Sequence, residues 1–243
     1  MHDGESGNEV LAWITSVVFV SWCHDPYKTR AREIQERRHG VKRARKIGIL
    51  GGTFNPIHIG HLIIAQDAMV QLGLDRVKFI PTATPPHKRY EGNATAAQRL
   101  AMVRLAVRGN PQFEVDDIEI RRGGASYTVD TLAELRRRNP RAALYFIIGA
   151  DSLRELHRWR EVGRLVRLCA FVTVARPGFV ARPVVDPRLD AAERRRLRQH
   201  ALRGHACEIA SRDIRDRVAG GEPIRYLVPD AVLHYIERHQ LYR

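Results

Sequence analysis

Short, largely apolar runs that read as buried strands limit what this chain can fold into more than any other feature. LYFIIG (144–149), CAFVTVA (169–175) and the shorter KIGIL (46–50) lack the apolar–polar alternation of a strand with one wet face. Each reads as a strand covered on both sides, the condition of a parallel sheet packed between helices. RVKFIP (76–81) reads as another strand, and FEVDDIEI (113–120) as extended chain. Helical periodicity fills the intervals. It runs from about Ile59 to Leu72, through AAQRLAMVRLAVRG (96–109), and from Thr128 to Arg138, where Asn139-Pro140 stops it. Further helical segments fall at 151–168, in an Arg-rich stretch at about 189–203, and near 211–219 and 229–239, the last opened by Pro229. Strands alternating with helices define an α/β protein with an open, mostly parallel sheet and a small C-terminal helical region.

Composition sets the outer bounds. With 243 residues, 44% hydrophobic and 28% charged, and a mean hydropathy of -0.34, the chain is neither a disulfide-stapled miniprotein nor wholly disordered. Cys23, Cys169 and Cys207 are widely separated and form no CxxC pair. That argues against a disulfide framework or a thiolate zinc site and fits a reducing cytoplasm. Residues 1–40 differ from the rest: an acidic start, the apolar run Val10 to Trp22, then the polar, basic KTRAREIQERRHG. The run is short of the roughly 20 residues of a membrane span, and the acidic residues before it have the wrong sign for a secretory leader. This stretch is expected to be a poorly ordered extension ahead of a single domain over 41–243, with Val41 as a candidate alternative start. The net charge of +14, from 41 Lys+Arg against 27 Asp+Glu, favours anionic partners without saying which.

In open parallel sheets ligands bind beyond the carboxyl ends of the strands, so the loop after KIGIL is the first place to seek chemistry. It reads GGTFNPIHIGH (51–61). Gly51 and Gly52 allow a tight turn with exposed amides, Pro56 fixes φ, and Gly60 removes a side chain where a helix begins. The loop is shaped for an anion, yet it is neither GxxxxGK[ST] nor GxGxxG, which counts against a P-loop NTPase and a dinucleotide dehydrogenase. His58 and His61, three apart, project from one side of the entry turn and can donate to phosphate oxygens. A surface pair, or two ligands of an incomplete zinc site, is the plainer alternative for such histidines in isolation. Here the flanking glycines favour phosphate.

GGTFNPIHIGHL resembles the (H/T)xGH signature of the nucleotidyltransferase superfamily and, in full, the opening of bacterial nicotinate-nucleotide adenylyltransferases. Matching segments follow in order: PTATPPHK (81–88), SYTVDTL (126–132), FIIGADSL (146–153), Trp159, VARPG (174–178) and IRYLVPDAVLHYIERHQLY (224–242). The resemblance spans about 46–243. It implies a Rossmann-like fold and transfer of the adenylyl group of ATP to nicotinate mononucleotide, with Mg2+. It also implies roles. Gly51, Gly52 and Thr53 would cradle ATP, and His58 and His61 would meet its phosphates in the transition state. Asp151, which is equally suited to cap the helix it precedes, would meet the ATP ribose. Thr84, Lys88, Thr128 and Trp159 would hold the mononucleotide, and Ser211 with Arg215 would hold the departing phosphates. IASRDIR (209–215) departs from the family's usual ISSTxIR, placing Arg212 where a hydroxyl is expected. No protein side chain is expected to ligate metal.

The histidine motif alone would equally admit pantetheine-phosphate or glycerol-phosphate transferases, and nicotinamide mononucleotide stands as an alternative acceptor. A basic nucleic-acid-binding module is the rival from another class. No RRM, KH, zinc-finger or recognition-helix pattern supports it, and the 7% aromatic residues are not interleaved with the basic runs. The expected partners are therefore ATP and nicotinate mononucleotide, with no nucleic acid and no membrane; homo-oligomerisation is left open.

Overall fold

The computed structural model describes residues 44–84, 94–149, 152–153, 155–174, 188–197, 200–202, 205 and 208–243. The extension 1–40, Asp151 and Lys88 lie outside the described residues. Six strands form one sheet: β1 (Lys46–Gly52), β2 (Arg76–Pro81), β3 (Phe113–Val115), β4 (Ala143–Gly149), β5 (Ala170–Val174) and β6 (His200–Leu202). Their order is β3-β2-β1-β4-β5-β6, and every pairing is parallel. The chain builds outward from β1 to β3, then returns to lay β4 on the other side of β1. The strand order reverses there, which makes the crevice at the carboxyl ends of β1 and β4 the ligand position of a Rossmann-like sheet.

The both-face burial expected of the apolar runs is present. Leu50, Val77, Phe79, Ile147 and Val172 face one layer, built by α1 (Ile59–Leu72), α2 (Ala96–Val107) and the C-terminal helices α7 (Ser211–Ala219) and α8 (Asp230–Arg238). Ile47, Ile49, Ile80, Leu144, Phe146 and Phe171 face the other, built by α4 (Thr128–Arg138), α5 (Val162–Leu168) and α6 (Ala191–Leu197). Each fully buried aliphatic side chain contributes about 1.5–3 kcal/mol, so two such layers dominate the stability of the sheet.

Local sequence fixes the ends of the helices beside the crevice. Gly73 ends α1 in the left-handed region at φ 58, and the Leu74 N–H returns to the Met69 carbonyl at 2.9 Å, a glycine C-cap. That turn sets Leu74 so close to β1 that a Cβ on Gly48 would lie 2.8 Å from its Cδ1. This explains a glycine inside a buried strand. Thr95 and Gln98 start α2 with a reciprocal capping box: the Gln98 N–H donates to Thr95 Oγ1 at 3.2 Å and the Thr95 N–H to Gln98 Oε1 at 2.8 Å. Among the described residues no helix is long and apolar enough to cross a membrane.

Two expectations are corrected. FEVDDIEI is extended only over Phe113–Val115, and Ile118–Arg122 is a short helix, α3. The V-D-D-I-E-I alternation imitates a strand, but Ile118 and Glu119 are both buried, which a short helix allows to neighbours in sequence. The Arg-rich helix expected over 189–203 ends at Leu197, and His200–Leu202 form the edge strand β6, pairing Val172–Val174. Three residues are too few for a readable period, and partner hydrogen bonds supply what propensity does not.

Candidate active site

The loop between β1 and α1 lies at the switch point. Gly51 and Gly52 are the last residues of β1, and the left-handed residue of the turn is Phe54 at φ 48, followed by a cis Asn55–Pro56 bond. The glycines therefore do not supply the turn itself, contrary to expectation. Gly52 supplies space, since a Cβ there would meet the Phe54 ring at 3.2 Å. Phe54 is buried against Phe79 and turns its ring to the edge of His61, with centroids 5.0 Å apart at 76°.

The two histidines form one unit. His58 holds the N-cap position of α1 with extended backbone, is 3% exposed, and lies against His61 with ring centroids 3.7 Å apart. Its backbone N–H donates to His61 Nδ1 at 3.2 Å. With Nδ1 accepting, the proton of a neutral His61 ring sits on Nε2, the nitrogen that can then donate. The first turn of α1 carries no acidic residue, so the positive end of the helix dipole is not offset locally. The His61 N–H bonds the His58 carbonyl at 3.0 Å and the Ile59 N–H the Leu227 carbonyl at 2.9 Å.

The C-terminal region braces this loop. Ser211 Oγ donates to the Pro56 carbonyl at 2.9 Å, and Arg215 Nη1 to the Asn55 carbonyl at 2.9 Å. The Tyr242 hydroxyl donates to Asn55 Oδ1 at 2.7 Å in a buried bond. Ser211 and Arg215 are thus tied to the loop that leads into His58 and His61. Ser211 is the first helical residue and not the cap, a position held by Ala210 without a side-chain bond. Arg212 is exposed and approaches Asp216 at 3.7 Å.

A second group forms across the ends of β1 and β2. The Thr82 N–H donates to the Gly52 carbonyl at 2.9 Å and the Ser126 N–H to the Thr84 carbonyl at 3.1 Å. The Ala83 N–H reaches Ser126 Oγ at 3.3 Å, and Thr84 bridges Ala125. Thr84 is thereby placed beside the Ser126–Thr128 segment, from which Thr128 opens α4. Trp159, half-buried, meets Phe146 edge-on at 6.0 Å; the same Phe146 ring lies 3.7 Å from where a Gly51 Cβ would be.

Sequence reading missed two buried ionisable residues in this region, Arg99 and Glu119. Arg99, 1% exposed, donates from Nη1 to the Thr53 carbonyl at 2.6 Å and the Thr82 carbonyl at 2.7 Å, and from Nη2 to the Ala83 carbonyl at 2.9 Å. It ties the loop after β1 to the loop after β2. An arginine on the inner face of an otherwise apolar α2 stripe was the available signal. Glu119, 7% exposed, accepts from Thr131 Oγ1 at 2.8 Å. Burial raises its pKa above the ordinary 4.5, against the hydroxyls of Thr131 and Ser126, the charge of Arg122 and the hydroxyl of Thr82, which lower it.

A parallel sheet with this loop at its switch point defines a nucleotide-binding transferase class, and residues 49–217 match the family described as cytidylyltransferase-like. A protein of Citrifermentans bemidjiense named "probable nicotinate-nucleotide adenylyltransferase" is 48% identical over 211 residues, covering 81% of this chain and 98% of that one. One of the same name from Moorella thermoacetica is 45% identical over 204 residues, covering 84% and 94%. The chain belongs to the nicotinate-nucleotide adenylyltransferase family. The solved structure of Plasmodium falciparum nicotinic acid mononucleotide adenylyltransferase complexed with NaAD aligns with TM-score 0.63 at 19% identity, covering 82% of this chain and 97% of that one. At that identity the likeness speaks for the fold.

Proposed function

We propose that this chain transfers the adenylyl group of ATP to nicotinate mononucleotide, forming deamido-NAD and pyrophosphate in NAD biosynthesis. A phosphate oxygen of the mononucleotide attacks the α-phosphorus in line. The bond from that phosphorus to the bridging oxygen breaks, and the electron pair leaves with pyrophosphate. No protein nucleophile is needed, so the protein contributes positioning and charge stabilisation. The observation that carries this reading is the braced loop at the switch point, with His61 Nδ1 held by the His58 N–H.

In this reading Gly51, Gly52 and Thr53 border the triphosphate, and His61 donates from Nε2 to phosphate oxygens as charge shifts toward the leaving group. His58 backs the His61 ring, contacts the same phosphates and orders the start of α1. Ser211 and Arg215 lie on the leaving-group side; Arg215, with one nitrogen on the Asn55 carbonyl, has the forked guanidinium suited to β- and γ-phosphates. Asp151 would meet the ATP ribose. Thr84, Lys88, Thr128 and Trp159 would surround the mononucleotide, Trp159 offering an aromatic face to the pyridine ring.

Among the described residues no group of three or more His, Cys, Asp or Glu is placed to hold a metal ion, and the loop's donors suit anions. A divalent cation, read as magnesium, would arrive bound to the ATP phosphates that those donors receive. Such an ion would offset the charge that repels an attacking phosphate. Pyrophosphate release should require ATP, nicotinate mononucleotide and a divalent cation together; release that ignores the mononucleotide would contradict the reading.

A further inference from the structure

We propose that Arg99 is a positioning residue for the transfer step itself, its buried guanidinium setting the spacing between the loop that borders ATP and the loop that receives the mononucleotide. The proposal deepens the functional reading above and rests on it, since Thr53 stands there on the ATP side and Thr84 on the mononucleotide side. Arg99 acts through the main chain and touches no substrate.

Strands β1 and β2 run in parallel register as far as Gly52 and Pro81, and the Thr82 N–H adds one more bond, to the Gly52 carbonyl at 2.9 Å. There the two chains part. Phe54, at φ 48, turns the first toward α1, while the second runs past Ala83 and Thr84 to meet Ser126 and Ala125. Arg99 takes over where the strand pairing stops. A single nitrogen, Nη1, donates to the Thr53 carbonyl at 2.6 Å and to the Thr82 carbonyl at 2.7 Å, and Nη2 holds the Ala83 carbonyl at 2.9 Å. Because one atom serves both chains, the two carbonyls cannot separate without breaking a charge-assisted bond, at a residue only 1% exposed to water. The arginine is itself held at the start of α2, where Thr95 and Gln98 cap the helix reciprocally and the Arg99 N–H donates to the Thr95 carbonyl at 2.9 Å. A buried cation is a costly way to fill a core, and packing alone is met more cheaply by an apolar side chain. What the guanidinium adds is the fork across the two loops.

That spacing matters most to a reaction without a protein nucleophile. In-line attack needs the acceptor phosphate and the α-phosphorus in near-contact, and a misplacement of about 1 Å can cost about 10²-fold in rate. Each substrate lies against its own loop, so a shift of one loop relative to the other is felt when both substrates are bound and much less when either binds alone.

Arg99→Lys keeps the charge, but its ammonium stops one bond short of Nη1 and has no second nitrogen for Ala83. On the full chain, well below the unfolding midpoint of the variant, the single-turnover rate of deamido-NAD formation at saturating ATP, nicotinate mononucleotide and magnesium should fall at least tenfold. The Kd of ATP alone and of the mononucleotide alone should stay within threefold of wild type, a split that general destabilisation does not produce. Should the lysine variant fail to fold, Thr95→Ala, which undoes the capping box that seats Arg99, should show the same split at smaller size. A smaller fall in the lysine variant, a fall accounted for by weaker binding of either substrate, or a Thr95→Ala rate equal to wild type in its place would overturn the positioning role. A wild-type chain that forms no deamido-NAD would instead overturn the functional reading, and this proposal with it.

Discussion

His61 is the residue on which the chemistry turns. Its Nδ1 is committed to the His58 N–H, so its donor is aimed before substrate arrives and costs no reorganisation during the reaction. Removing one such donor typically costs about 10²-fold in turnover or more. His61→Ala should therefore lower kcat by about that factor with the thermal unfolding midpoint close to wild type; near-normal turnover would remove it from the mechanism. Arg99 tests the other kind of residue. Arg99→Met keeps similar bulk but strips donors from the Thr53, Thr82 and Ala83 carbonyls, and an orphaned buried group costs about 1–3 kcal/mol. Denaturant unfolding should show a loss of at least about 2 kcal/mol, and an unchanged midpoint would mean those carbonyls find other partners. The role of His61 is legible in the sequence, and that of Arg99 is not. The histidines stand in a recognisable motif, whereas Arg99 lies 46 residues from Thr53 in sequence and Glu119 inside what looks like a strand.

At the scale of elements, the C-terminal helices serve the first loop. Ser211, Arg215 and Tyr242 all donate to Asn55 or Pro56, so α7 and the chain end lock the loop that carries His58 and His61. Two variants separate bracing from phosphate contact. Tyr242→Phe removes only the buried bond to Asn55 and should cost about 1–3 kcal/mol of stability, with little change in KM for ATP. Arg215→Ala should lower kcat/KM for ATP by roughly tenfold or more, the loss expected of a charged hydrogen bond. Parallel behaviour of the two would reduce Arg215 to a brace. The long apolar strands and the helices at 59–72 and 128–138 were legible because each carries a full period of pattern. β6 and α3 were not, being three and five residues long; their form is set by the neighbours they pair with or pack on.

For the whole molecule, all six strands lie between Lys46 and Leu202, and the relative from Citrifermentans bemidjiense matches over 98% of its own length but 81% of this chain. A chain beginning at Val41 should keep its unfolding midpoint and its kcat/KM within experimental error, and loss of either would assign the first 40 residues a part in the catalytic unit. The strand order, the anion-shaped loop and the family membership converge on one reaction, and the choice of acceptor tests it most directly. Deamido-NAD formation should be measured with ATP and magnesium, offering nicotinate mononucleotide, nicotinamide mononucleotide and phosphopantetheine separately as acceptors. The account predicts a kcat/KM for the nicotinate compound at least about tenfold above the amide, a preference worth only about 1.4 kcal/mol, and no transfer to phosphopantetheine. Equal use of acid and amide would contradict the assigned specificity, and preferred transfer to phosphopantetheine would contradict the assigned reaction.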